Sequence, residues 1–264
     1  MKPAYKNWMP KGMIVGFTLA AIGCGLVTAI LTLTIPAGVL KNVLVVAFAA
    51  LTVLFISVTC WSVLMYRAFS YDGKRQLSRQ IIEGIAETVK LPDGGLALDV
   101  GCGSGALTIA CAKRNPKASF IGIDRWGKEY ASFSKSLCKN NAKAEGVKNV
   151  TFEHGDAVRL DFPDGYFDAV TSNYVYHNIP ARSRGDRQAY LLETLRTLKK
   201  GGTFALHDIF SEARYGDMQA FAQKLRDMGY EKVALIDTTD GKFMKKSEAG
   251  WMGLAGSALL VGRK

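Results

Sequence analysis

The sequence predicts an α/β fold, a doubly wound and mostly parallel sheet, preceded by an N-terminal two-helix transmembrane hairpin. Three observations predict it. Two uncharged apolar intervals fill the first quarter of the 264-residue chain. Strand-like and helix-like patterns alternate after about residue 75. A glycine-rich turn, Gly101-Cys102-Gly103-Ser104-Gly105, follows the first strand of that alternation.

The hairpin comes first. No charge occurs between Lys11 and Lys41, or between Lys41 and Arg67. Each interval exceeds the ~20 apolar residues that cross ~30 Å of hydrocarbon. The expected spans are 13–35 and 43–66, giving a hairpin over 1–68 and a second domain over 69–264. A buried core helix normally keeps a polar face, and these intervals have almost none. A cleaved signal peptide has a shorter apolar run and no second span directly behind it. Lys2, Lys6 and Lys11 precede the first span, and Arg67, Lys74, Arg75 and Arg79 follow the second; the turn between them carries only Lys41. The positive-inside rule then predicts an integral membrane protein with both termini and the second domain in the cytoplasm. Gly16, Ala20 and Cys24 recur every four residues and predict a small-residue packing stripe.

The formal net charge is +11, of which residues 1–75 carry +6. Much of the basic excess is therefore juxtamembrane and suits anionic lipid headgroups. A nucleic-acid partner is not expected, for want of a basic stripe interleaved with aromatics. The cysteines, Cys24, Cys60, Cys102, Cys111 and Cys138, form no CxxC pair or Cys/His cluster. Neither a disulfide framework nor a metal site is expected.

In the second domain, Leu77, Ile81, Ile82, Ile85 and Val89 recur at helical spacing, and Pro92-Asp93-Gly94-Gly95 ends that helix. Leu96–Val100 reads as a strand, Leu107–Arg114 as a helix and Phe120–Ile123 as a strand. A helix is expected from about Lys128 to Glu145. Strands follow at Asn149–Glu153 and Phe167–Ser172, then a helix at Arg187–Leu198, a strand at Thr203–His207 and a helix at Tyr215–Met228. Val233–Asp237 and Ser257–Gly262 read as two strands joined by a polar turn region, which suggests an antiparallel pair at one edge. Near-continuous apolar strands between helices predict a parallel sheet covered on both faces.

Ligands of open α/β sheets bind at the carboxyl ends of strands. The first strand ends at Asp99-Val100, and Gly101, Gly103 and Gly105 let the backbone turn sharply and approach a ligand. The helix beginning near Ala106 points unpaired N–H groups there. The second strand ends in Asp124, placed to accept hydrogen bonds from a ribose diol. Trp126 is placed to cover an adenine face. Gly155-Asp156-Ala157 follows the third strand, with Asp156 a candidate acceptor for an adenine amino group.

This ordered set resembles the class I S-adenosylmethionine-dependent methyltransferases. The signature is matched by Leu98-Asp99-Val100-Gly101-Cys102-Gly103-Ser104-Gly105, the acidic strand end by Ile123-Asp124, and the adenine side by Gly155-Asp156-Ala157. Phe167–Asn173, Leu198-Lys199-Lys200-Gly201-Gly202 (with Lys200 where proline is usual) and Leu259–Lys264 match the later motifs. The resemblance implies a Rossmann-like seven-stranded sheet with an antiparallel last strand. It also implies S-adenosyl-L-methionine as cofactor, with Asp99 before the glycine loop and Asn173 nearest the methyl region among the residues that hold it. A nicotinamide dehydrogenase is the competing reading, because Gly101, Gly103 and Ala106 satisfy a loose G-x-G-x-x-A. Gly105, Asp99 and the lack of a separate substrate domain count against it. A non-catalytic S-adenosylmethionine sensor or scaffold is the other alternative.

Displacement at a sulfonium methyl needs in-line positioning and exclusion of water, no metal, and a base only where the nucleophile carries a proton. Acceptor-side candidates lie in Asn173-Tyr174-Val175-Tyr176-His177-Asn178 and in His207-Asp208. The expected catalytic residues are His177, as base, with Asn173 and Tyr174. Arg182–Arg187 is a candidate contact for an anionic acceptor. The anchor predicts a small-molecule or lipid-like acceptor at the cytoplasmic membrane face.

Overall fold

The computed structural model describes residues 2–127 and 132–264. It forms two compact units: Asn7–Ser78, and the N-terminal Met1–Lys6 together with Arg79–Lys264.

The unit Asn7–Ser78 is built on α1 (Lys11–Thr34) and α2 (Val39–Phe69). Both helices are long and apolar enough to cross a membrane. Val15, Leu19, Leu26 and Leu33 on α1, and Val39, Leu40, Val46 and Val53 on α2, are more than half exposed. Ala21 is the buried residue of α1. The core helix of a soluble protein would bury such side chains. The hydroxyls of Thr18, Thr28 and Thr52 donate to carbonyls four residues back, at 2.7, 2.9 and 2.8 Å, so they are satisfied within their own helix. Lys41 Nζ donates to Thr32 O and Ile35 O and closes the last turn of α1.

The expected stripe of Gly16, Ala20 and Cys24 leaves the packing seam at Gly16, which is exposed, while Ala20 and Cys24 are half-buried. Nothing lies within 4 Å of where a Gly16 Cβ would stand, while Gly25 faces Thr52. Phe17 stacks on Phe55 with centroids 6.3 Å apart. Residues 17, 21 and 25 share one face, and that face turns toward α2.

The other unit carries the sheet. Among the described residues there are seven strands: β1 (Leu96–Val100), β2 (Ser119–Asp124), β3 (Val150–His154), β4 (Phe167–Asn173), β5 (Leu198–Ile209), β6 (Glu231–Asp237) and β7 (Ser257–Arg263). Their order is β3-β2-β1-β4-β5-β7-β6. β1 to β5 pair in parallel, and β7 is antiparallel to both β5 and β6. The last strand thus inserts between β5 and β6. The chain winds outward from β1 to β3 on one side and from β4 onward on the other. A crevice therefore opens beyond the carboxyl ends of β1 and β4. Leu98, Val100, Val170, Leu206 and Leu260, on neighbouring strands, are fully buried in the main core.

The helices are α3 (Leu77–Ala86), α4 (Ala106–Arg114), α5 (Lys135–Ala144), α6 (Arg184–Arg196), α7 (Glu212–Tyr215), α8 (Met218–Asp227) and α9 (Lys246–Met252). Three depart from expectation. Residues 128–131 of the helix expected over 128–145 lie outside the described residues, and α5 starts only at Lys135, where Ser134 Oγ accepts the Leu137 N–H. The helix expected over 215–228 breaks at Gly216, whose φ of +73° ends α7. Asp217 then caps α8 by accepting the N–H groups of Gln219 and Ala220. The region between the last two strands contains α9 as well as turns.

Candidate active site

The glycine loop folds back over the end of β2. The Gly101 and Cys102 N–H groups both donate to Ile123 O, at 2.8 and 2.9 Å. Gly101 has φ +72° and Gly105 φ +80°, the left-handed region that side chains disfavour. A Cβ on Gly101 would also overlap Val175, and one on Gly105 would press on Phe152 at 3.0 Å. Bare backbone is therefore required at both positions. α4 starts directly behind the loop and presents its first unpaired N–H groups there.

Asp124 braces this loop. Its Oδ2 accepts the Gly103 N–H at 2.8 Å and its Oδ1 the Trp126 N–H at 2.7 Å. A carboxylate offers about four acceptor positions, so two remain for a ligand diol. The Trp126 indole N–H donates to Gly103 O at 3.0 Å, and the ring packs with Cys102 and Phe152 beside the loop. Asp156 turns its own segment by accepting the Val158 N–H at 3.0 Å, and its other oxygen lies 3.9 Å from Arg125. Ala157, next to it, is half-buried. A glycine cradle without side chains, a helix N-terminus and a half-exposed carboxylate with spare lone pairs fit a nucleoside bearing a ribose diol.

Asp99 lies elsewhere. It is 1% exposed, and its carboxylate accepts from Thr108 Oγ at 2.6 Å and Thr171 Oγ at 2.9 Å. It ties β1 to α4 and β4 beneath the loop, and the structure does not bring its oxygens into the crevice. Burial pushes its carboxyl up to about 7, against the two threonine bonds that lower it.

On the acceptor side, β4 and β5 end next to each other. Asn173 Oδ1 and His207 Nδ1 are 2.8 Å apart, and His207 Nε2 is 3.0 Å from Thr238 Oγ. His207 is fully buried, and desolvation lowers it to about 3, so its ring is neutral and serves to fix Asn173. Asp208 points to the opposite face of the strand, as side-chain alternation requires. It accepts the N–H groups of Tyr176 and Ile209 at 2.8 and 2.7 Å. His177 Nδ1 meets Asp208 Oδ1 at 2.6 Å, and the imidazole keeps 14% exposure. Tyr174 adopts φ +55°. Its hydroxyl pairs with Ser257 Oγ at 2.8 Å, and burial pushes that hydroxyl upward. Its ring meets those of His177 and His207 at 5.8 and 4.6 Å. Within Arg182–Arg187, Ser183 and Asp186 form the capping box of α6.

The domain matches the family model described as "Methyltransferase domain" over residues 92–249. The chain belongs to the class I S-adenosylmethionine-dependent methyltransferases. Among curated relatives, the demethylmenaquinone methyltransferase of Geobacillus stearothermophilus is 30% identical over 174 residues, 64% of this chain and 65% of that protein. The 27-O-demethylrifamycin SV methyltransferase of Amycolatopsis mediterranei is 30% identical over 162 residues, 61% of this chain and 56% of that protein. The chain thus spans somewhat less than two thirds of the curated relatives it matches. The crystal structure of the [4+2]-cyclase SpnF has the same fold, with TM-score 0.54 and 21% identity over 72% of this chain and 82% of that one.

The candidate cofactor residues stand at strand ends where the sequence marks them, and most of the side chains that brace them carry no such mark. Asp208 adjoins His207 in sequence, yet only the end of β5 beside the turn Tyr176–Asn178 makes it the partner of His177. Thr108, Thr171 and Ser257 carry no local signal. Asn141 is a mid-helix asparagine on α5 whose Nδ2 donates to Ser104 O at 2.9 Å and holds the loop from behind.

Proposed function

We propose that the protein transfers the methyl group of S-adenosylmethionine to a small-molecule or lipid-like acceptor at the cytoplasmic face of the membrane that its hairpin crosses. One observation carries the proposal: the Asp124-braced glycine loop, at the ends of β1 and β2, and the His177–Asp208 pair, at the ends of β4 and β5, lie at the carboxyl ends of adjacent parallel strands. When bound, S-adenosylmethionine supplies an electrophilic methyl on a good leaving group. Gly101, Gly103 and Gly105 give it bare backbone, Asp124 takes the ribose hydroxyls, and Trp126, Asp156 and Ala157 border the adenine. Asp99 braces the loop from below.

Asn173, fixed by His207, lines the methyl region, and Tyr174 walls the acceptor side. With the Nδ1–H of His177 donated to Asp208, Nε2 keeps the free lone pair. That nitrogen removes a proton from an acceptor hydroxyl, amine or acidic carbon as it attacks. Asp208 stabilises the imidazolium that results.

The exposed apolar flanks of α1 and α2 support a membrane location, and the basic residues at both ends of the hairpin support a cytoplasmic domain. A demethylmenaquinone methyltransferase among the relatives supports a quinone-like acceptor, within a class that also includes isoprenoids and phospholipids. The test is methyl-labelled S-adenosylmethionine supplied to the full chain in vesicles made from a total membrane lipid extract. Label in the organic phase, with matching S-adenosylhomocysteine, is the expected result. Label in water-soluble products alone overturns the lipid acceptor, and no S-adenosylhomocysteine with either class of acceptor overturns methyl transfer.

A further inference from the structure

A groove of about 510 Å³ runs between α5 and the edge strand β3. Lys135, Lys139 and Lys143 line it at four-residue steps along one face of α5, and Lys148 lines it from the connection to β3. All four side chains are exposed. Glu153 is the carboxylate in the same wall, so four positive charges meet one negative. Nearby Glu145 is already engaged, by Lys113 at 2.7 Å. Such a concentration of like charge is costly unless counter-charge is supplied from outside.

The N-terminal arm lies along the same helix. The Ala4 N–H donates to Asn141 Oδ1 at 2.7 Å, and the Tyr5 hydroxyl reaches Glu145 at 3.4 Å. Lys2 and Lys6, both exposed, flank these contacts. Five residues beyond Lys6 the chain enters α1 at Lys11. Five residues extend at most ~18 Å. Chain length alone therefore keeps the arm that contacts α5 close to the point where the apolar helix begins.

We infer that the α5–β3 groove is an electrostatic foot on the bilayer: Lys135, Lys139, Lys143 and Lys148, joined by Lys2 and Lys6, bind the anionic phospholipid headgroups of the leaflet that α1 enters. The inference rests on the membrane reading of the hairpin. Charge complementarity and the short chain from arm to span single out this occupant, since attraction to a charged surface fades over about 8 Å at physiological salt. Lysines beside an edge strand also discourage strand pairing, a role that needs no anionic surface.

The test reconstitutes the full chain in nanodiscs of phosphatidylcholine, or of equal parts phosphatidylcholine and phosphatidylglycerol, and follows lysine acetylation by mass spectrometry. The expected result is acetylation of Lys135, Lys139, Lys143 and Lys148 slowed at least about threefold by phosphatidylglycerol, with the protection lost in high salt. Lys224 and Lys232, exposed near the opposite sheet edge, keep the same rate in both lipids. Equal acetylation of the four lysines in both lipids, with the chain still resistant to carbonate extraction from vesicles, overturns the groove inference and leaves the anchor standing. Release by carbonate overturns the anchor, and the inference with it. Equal protection by inorganic phosphate over phosphatidylcholine overturns bilayer docking in favour of a soluble-anion site.

Discussion

His177 Nδ1 and Asp208 Oδ1 stand 2.6 Å apart and join the turn after β4 to the end of β5. Two backbone N–H groups, from Tyr176 and Ile209, hold the carboxylate before the histidine reaches it. The imidazole is thereby oriented, with Nδ1 occupied.

Loss of the proposed base, His177, should be felt in turnover rather than in binding. His177→Gln lowers kcat by about 100- to 10,000-fold with little change in KM for S-adenosylmethionine. Asp208→Asn acts through the histidine: an amide N–H facing Nδ1 imposes the other tautomer and places the proton on Nε2. It lowers kcat by a similar factor, and the double variant is hardly worse than either single one. Steady-state kinetics of the three variants check this, and a wild-type kcat in His177→Gln contradicts it.

Two buried groups give opposite pH slopes. Asp99 holds its proton to about 7 in the folded chain, against an ordinary value of 3.8. Its contribution to stability is complete below that ordinary value and is lost as pH rises through 7. His207 stays neutral down to about 3, against 6.5. Its contribution is complete above 6.5 and is lost as pH falls toward 3. A tenfold change in proton affinity on folding corresponds to about 1.4 kcal/mol, so the two slopes largely offset each other between about pH 4 and 6.5. Asp99→Asn should therefore make stability rise with pH in that window, and His207→Gln should make it fall. Urea midpoints at pH 4.5, 5.5 and 6.5 check the signs, with a limiting slope of ~1.4 kcal/mol per pH unit.

Gly101→Ala meets two penalties, the left-handed φ and the overlap with Val175. We expect a loss of about 1–3 kcal/mol. Val175→Ala in the same chain restores part of it, because the overlap is relieved and the φ strain is not. Urea unfolding of the single and double variants measures the split.

Asn141 bonds both Ser104 O and the Ala4 N–H, and it is 1% exposed. Asn141→Ala frees the loop from behind and leaves the Ser104 carbonyl without that donor, at a cost of about 1–3 kcal/mol. S-adenosylhomocysteine affinity should fall several-fold. Deleting residues 2–5 should reproduce only part of that fall, since the Ser104 bond survives.

What could be read in the sequence follows physical contrast. Strands flanked by turns, with glycines and acids at their carboxyl ends, announce themselves, and so Gly101, Asp124, Asn173 and His177 stand out. The rotation of α1 is not legible in the sequence, because a helix apolar on every side has no polar side to mark its face; the structure buries Ala21 and sets Gly25 against Thr52. Of the threonines that clasp Asp99, Thr108 reaches it from α4, nine residues on, and Thr171, 72 residues away, meets it through the β1–β4 register. The break at Gly216 has a local signal, a glycine that stops α7 followed by Asp217 that caps α8, and the apolar period running across both hides it.

Asp124 and the glycine loop are the proposed seat of S-adenosylmethionine. Calorimetric titration of S-adenosylmethionine into the full chain and into Asp124→Ala tests it most directly. The loss of hydrogen bonds to a charged acceptor is worth about 1.5–3 kcal/mol, so one-site binding to the wild type and an affinity about 10- to 100-fold lower in the variant are predicted. Equal affinity in the two proteins, or no binding to the wild type, would contradict the account.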